Sequence, residues 1–170
     1  MPAIQPASRG HAAVQEPAKD ALQLLMAEHR EVKAMFQAYQ KLADVGGRGD
    51  ERMLIASQIC VALTLHTQME EEILYPAARA VLTQDEDIVD EAYVEHAGAR
   101  ALIAQVKTMT SDQPLYDAKL KVLGEYVDHH VREEETEFFP KLRKTALDLE
   151  AMGEQIAARK KQLMAQPEPS

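Results

Sequence analysis

The feature that most constrains this chain is an internal repeat. HTQMEEEILYP, beginning at His66, and HVREEETEFFP, beginning at His130, place His, Glu, Glu, an aromatic residue and Pro at the same offsets. At about 5% per position, five such matches have odds on the order of one in a million, or roughly one in a hundred once every possible pairing is allowed. Upstream, the pair Glu28 and His29 reappears as Glu95 and His96. A chain repeated in this way carries two copies of one local structure, and each copy reads as a helical hairpin.

The spacing within each copy is helical. Leu22, Leu25, Met26, His29, Val32, Phe36 and Tyr39 recur at three- and four-residue steps after Asp20, a residue suited to capping the first helix, and Gly46, Gly47 and Gly49 end it. Asp50 is the expected cap of a second helix whose inward stripe runs Ile55, Ile59, Leu63, His66, Glu70, Ile73 and Leu74 until Pro76 kinks or frays it. Thr83 or Asp85 opens a third, with Val89, Tyr93, His96, Ile103 and Val106 on one face. A fourth starts near Pro114 and carries Leu120, Leu123, Val127, His130, Glu134 and Phe138, with Pro140 interrupting its last turns. Four long helices with short connections predict an all-α, up-down antiparallel four-helix bundle with no sheet. Leu149, Met152, Ile156 and Leu163 make a sparser stripe on an extra C-terminal helix, expected to pack loosely on the bundle or to contact another subunit.

These patterns divide the chain into a flexible arm over residues 1–19, a bundle over 20–146, and a C-terminal helix and tail over 147–170. His11, in the proline- and glycine-containing arm, reads as a solvated tail residue. With 170 residues, 46% of them apolar and 28% charged, the chain can bury one real core. A net charge of -9 disfavours nucleic acid and anionic membranes as partners and favours cations. Residues 1–19 contain no apolar run of signal-peptide or spanning length, so the expected location is the cytoplasm. The single cysteine, Cys60, lies among Ile59, Val61 and Ala62 and reads as a buried, inert thiol.

One His and Glu four residues apart are a weak signal, because such pairs commonly lie exposed and contribute only a few tenths of a kcal/mol. Two such pairs facing each other, with a lone His from each remaining helix, carry more information. His29, His66, Glu70, His96, His130 and Glu134 then converge on the bundle axis, and buried carboxylates there require a cation. Four imidazoles and two carboxylates suit iron, manganese or zinc, with Glu70 and Glu134 as the bridging groups between two ions. His129 and Glu133 offer a competing pair about 100° around the same helix. The register of the repeat favours His130, since only it stands to Pro140 as His66 does to Pro76, and His129 reads as a flanking residue or outer donor, with an alternative ligand role left open. Glu71, Glu72, Glu133 and Glu135 read mainly as a solvated face, with support of the ligating side chains as the alternative.

The lone His followed by HxxxE, given twice with an aromatic-Pro pair after each, resembles the hemerythrin-like HHE cation-binding domain, and the likeness spans about Leu22 to Leu142. The resemblance implies a non-haem di-iron centre, oxo- or hydroxo-bridged, on the six positions named above. It departs from oxygen-carrying hemerythrins, which place a second histidine four residues after the third-helix one. Here Arg100 follows His96, and the last carboxylate is a Glu four residues after His130 rather than an Asp five residues on. This points away from reversible oxygen carriage and towards HHE proteins linked to nitric oxide, iron-sulfur repair and iron sensing. The expected function is a di-iron protein handling dioxygen, nitric oxide or peroxide in stress response or iron homeostasis. The alternatives are an iron store, donor or sensor, and a di-iron peroxidase or nitric oxide reductase. The sequence assigns no protein partner and no oligomeric state.

Overall fold

Asp20 starts the first helix as expected: its carboxylate accepts the backbone N–H of Gln23, whose side chain returns the bond to the Asp20 N–H. In the computed structural model, which describes residues 19–165, this helix is α1 (Ala21–Asp44), closed by Gly46 in the left-handed conformation at φ 63°. The α2 helix (Gly49–Met69) passes through a π-helical turn (Glu70–Leu74) into a last α-helical stretch (Tyr75–Val81). The α3 helix spans Glu86–Lys107, and α4 (Tyr116–Glu133) repeats the design of α2 with a π-helical turn at Glu134–Phe138 and a final turn at Phe139–Leu142. The α5 helix (Leu149–Met164) begins at Asp148, which caps the N–H of Ala151.

Four start and stop signals resolve differently from the sequence reading. Asp50 does not cap α2; the helix starts one residue earlier, and the Asp50 carboxylate is held instead by the Arg48 guanidinium at 2.7 Å. Asp85 precedes α3 without capping it, because Lys141 takes its carboxylate. Pro76 and Pro140 neither fray nor break their helices. A proline removes one backbone donor and crowds the carbonyl four residues back. The wider π-helical turn immediately before each proline absorbs both effects and lets the helix run on.

The helices alternate in direction, with α1 on α2, α3 on α4, and the two hairpins closing through α1 against α4 and α2 against α3. The apolar core is split in two. Leu22, Leu25, Met69, Leu74, Phe138 and Leu142 fill one end. Val32, Ile59, Leu63, Ile103, Leu120 and Leu123 fill the other, with Cys60 among them at 2% exposure and its thiol pKa raised by burial. Between the two lies the layer of histidines and glutamates. The C-terminal helix docks firmly, burying Met152 and Ile156, with Gly153 so close to the Lys19 carbonyl that a Cβ would stand 2.6 Å from it. Among the described residues no helix is long and apolar enough to cross a membrane. His11 and most of the N-terminal arm lie outside the described residues.

Candidate metal centre

All six residues singled out in the sequence are buried in one layer, at exposures from 0% for Glu70 to 7% for His130. His29 and His96 come from the middles of α1 and α3, and His66 and His130 from the last turns of α2 and α4. Glu70 and Glu134 are the first residues of the two π-helical turns, so the same local widening that accommodates each proline also sets the carboxylate. Irregular turns of this kind recur at functional sites.

The Nε2 atoms point inward in two pairs, His29 with His66 at 3.0 Å and His96 with His130 at 3.1 Å. Glu70 lies between the pairs, with Oε1 3.2 Å from His66 Nε2 and Oε2 3.3 Å from His96 Nε2. Glu134 turns a single oxygen, Oε2, towards both His29 at 3.3 Å and His130 at 3.5 Å. Two groups of donors, each lying within 4.8 Å, result: His29, His66, Glu70 and Glu134 in one, and Glu70, His96 and His130 in the other. Glu70 belongs to both.

Neither Glu70 oxygen has a hydrogen-bond partner, and neither does Glu134 Oε2. An ionised carboxylate removed from water without a partner costs several kcal/mol, which a cation between the imidazoles would offset. The same carboxylates also favour protonated imidazoles. Burial opposes charging His66, but Glu70, Glu28 and Glu134 outweigh it and push its pKa up to about 10. Burial likewise opposes charging His130, yet Glu134, Glu95 and Glu70 push it up to about 9. Burial would raise the Glu70 pKa, but His66 and His96 hold it well below the usual carboxylate range.

Each imidazole is also gripped from behind through Nδ1: His29 by Glu135 at 2.9 Å, His66 by Glu28 at 2.8 Å, His96 by Glu71 at 2.9 Å and His130 by Glu95 at 2.6 Å. A carboxylate on Nδ1 fixes the tautomer that leaves Nε2 free to ligate. Glu71 and Glu135 therefore are not merely a solvated face, whereas Glu72 is held on the surface by Arg159. His129 flanks the centre as expected, its side chain 60% exposed and its Nε2 3.2 Å from Glu133 and 3.6 Å from Glu95. Glu28, Glu95 and Tyr75 were not assigned roles from sequence. The signal for the first two was present, in the repeated Glu-His pair. The Tyr75 hydroxyl, buried in the layer, donates to Glu134 Oε1 at 2.9 Å and lies 3.1 Å from His96 Nε2.

On the side of the imidazoles away from Tyr75 is a small cavity of about 20 Å³, walled by Val32, Leu63, Ala99 and Val127.

A bundle of four antiparallel helices with a fifth packed outside, enclosing imidazoles and carboxylates in a buried layer, is the architecture of a cation-binding helical protein. The family model for the hemerythrin HHE cation binding domain matches residues 20–142, and the chain belongs to that family. A solved structure of a hemerythrin HHE cation binding domain-containing protein from Mycobacterium kansasii shares the fold, with a TM-score of 0.70 at 21% identity over 85% of this chain and 86% of that one. An uncharacterized protein of Mycobacterium tuberculosis is 23% identical over 131 residues, covering 75% of this chain and 79% of the relative. A DNA nickase of Nostoc sp. is 28% identical over 116 residues, which is 68% of this chain but only 31% of that protein.

Proposed function

We propose that this protein holds two iron ions, with His29 and His66 on one, His96 and His130 on the other, Glu70 bridging them and Glu134 completing the set, and that it handles a small ligand such as dioxygen, nitric oxide or peroxide. The observation that carries this reading is Glu70: wholly buried, with two unpartnered oxygens, each facing a different imidazole pair. Imidazole with carboxylate is a borderline-to-hard donor set suited to iron and also open to manganese or zinc. When bound, an iron pair supplies redox chemistry and coordination positions left over by the six side chains.

The chain's own residues do the rest. Glu28, Glu71, Glu95 and Glu135 orient the four rings. The cavity beside the imidazoles leaves room for about one small molecule, since a single water-sized sphere needs roughly 10–15 Å³. The lone buried Cys60 and the net charge of -9 favour a reducing, cytoplasmic setting without nucleic acid or membrane partners.

Metal analysis of freshly purified protein should find two iron ions per chain, reduced to one or none in His66→Ala and His130→Ala. Anaerobic ferrous protein exposed to dioxygen or nitric oxide should develop oxo-bridge or nitrosyl absorption. A spectrum that stays flat in fully loaded protein would remove the ligand-handling part of the reading and leave an iron store or sensor.

A further inference from the structure

The two hairpins leave unequal faces. The step along the repeat that carries His66 to His130 also carries Cys60 to Gly124, and the step that carries His29 to His96 carries Phe36 to Ile103. On the face between α2 and α3, Cys60, Leu63, Thr67 and Ile103 are all buried, at 2–7% exposure. Their counterparts between α1 and α4, namely Gly124, Val127, Val131 and Phe36, are all half-exposed. Glycine at position 124 removes the side chain that its counterpart Cys60 packs into the closed face. A groove of about 370 Å³ opens there, running past Lys33, Phe36 and Gly124 down to His29.

This groove meets the small cavity at the imidazoles. His29, Val127 and Val131 line both, so the two spaces are neighbours across these side chains. A second groove, beneath the end of α5, reaches Glu28 and Val32 but touches no histidine, and the Lys160–Glu28 ion pair at 2.6 Å lies on it. The exposed lining of the inner cavity is almost wholly apolar, through Val32, Leu63, Ala99 and Val127, although Thr67, Tyr126 and the histidines also border it, and it holds little room beyond one or two heavy atoms.

We infer that the face between α1 and α4 is the entry route for ligand, that it passes Gly124 and Phe36 to the cavity above the histidines, and that it admits small uncharged molecules of diatomic size. The inference rests on the proposed di-iron reading for what happens after entry, but the route itself needs no metal. Lys33 and Asp128 pair across the groove at 3.3 Å, both well exposed, a contact too weak to lock it.

The test uses the full chain with two groove variants, each read by stopped-flow nitric oxide binding to the ferrous protein and by xenon exchange in the metal-free protein. A Cβ at position 124 would stand 3.1 Å from Phe36 Cδ1, so Gly124→Leu fills the groove, while Phe36→Ala widens it. Gly124→Leu should slow nitric oxide association tenfold or more and Phe36→Ala should speed it. Dissociation should change by the same factor, leaving Kd within about twofold, because a route changes rates and not equilibrium. Xenon exchange should follow the same order in the metal-free protein. Unchanged rates in both variants would overturn the route, as would a change in Kd carried by one rate alone. If no nitrosyl forms at all, the ligand-handling part of the proposed function fails, and the xenon arm still decides the route: exchange equal in the three proteins overturns it.

Discussion

The two hairpins supply matching histidines but unequal carboxylates. In the first half Glu70 has both oxygens free and spans the two imidazole pairs. In the second, Glu134 has Oε1 occupied by the Tyr75 hydroxyl and only Oε2 facing the histidines. The cause is one atom in the repeat: the residue before Pro76 is Tyr75, while the residue before Pro140 is Phe139, which lacks a hydroxyl and stacks on the His29 ring at 5.9 Å. The supports behind the rings differ as well. Glu28 is anchored by Lys160 of the C-terminal helix at 2.6 Å, whereas its counterpart Glu95 has only the exposed His129 at 3.6 Å. A repeat can therefore fix the number and direction of donors while the residues around them make the two halves chemically distinct.

The largest effect should come from removing the shared carboxylate. Glu70→Ala should abolish metal binding at both positions, whereas Glu134→Ala should retain about one ion per chain, measured by elemental analysis after gel filtration. Equal losses would break the assignment of Glu70 as the group common to both donor sets.

Changing pH should act next most strongly. His66 and His130 carry raised pKa values of about 10 and about 9 in the metal-free protein, so a metal must displace their protons. Apparent affinity should rise between pH 7 and 9 by about tenfold per unit for each displaced proton. The stability of the metal-free protein has the opposite sign. A raised histidine pKa adds stability that is complete below the ordinary value of 6.5 and is lost as pH climbs through about 9 for His130 and about 10 for His66. Glu70, depressed by His66 and His96, adds stability above the ordinary carboxylate value of 4.5 that disappears as pH falls through its folded pKa. Calorimetry in buffers of different ionisation heat and melts of chelated protein would check both.

The outer carboxylates should give a smaller, graded loss. Glu28→Gln and Glu95→Gln should each weaken metal binding by roughly 10–100-fold, the usual range when the partner of a ligating imidazole is removed. Lys160→Met should weaken it less than Glu28→Gln, and measurably, if the C-terminal helix braces the first half. No effect of Lys160→Met in a competition assay with a chromophoric chelator would show that Glu28 needs no anchor.

Tyr75→Phe should be the mildest change and the most diagnostic. It deletes one buried hydrogen bond, a loss of about 1–3 kcal/mol when the acceptor stays buried, and should lower the melting temperature by roughly 2–4 °C per kcal/mol for a chain of this size. It also makes the two halves alike at this position, so the two irons proposed for the site should become harder to tell apart by Mössbauer spectroscopy. Two signals as distinct as before would assign the inequality to the Lys160–Glu28 contact instead.

Much of this was readable from residue spacing. A period of three to four in the apolar residues gave the helices, and burial follows the stripes closely: Leu22, Leu25, His29 and Val32 are inside on α1, and Leu120, Leu123 and His130 on α4. The repeat register chose His130 over His129, and the structure buries the first and exposes the second. Element ends were read less well, because a cap depends on which neighbour competes for the carboxylate: Arg48 takes Asp50 and Lys141 takes Asp85. The prolines marked where each α-helix is interrupted, but a single position does not reveal that the interruption is a widened π-helical turn.

The sequence by itself settled the helical class, the two-fold repeat and the identity of the six inward residues, since all three depend on spacing along one chain and helical geometry translates spacing directly into direction. Only the tertiary structure decided what each residue meets on another helix: Glu71 crossing to His96, Glu135 to His29, Tyr75 to Glu134, and the C-terminal helix reaching Glu28. Those contacts join residues far apart in the chain, and their partners are set by how helices pack and rotate against each other, which no local pattern encodes.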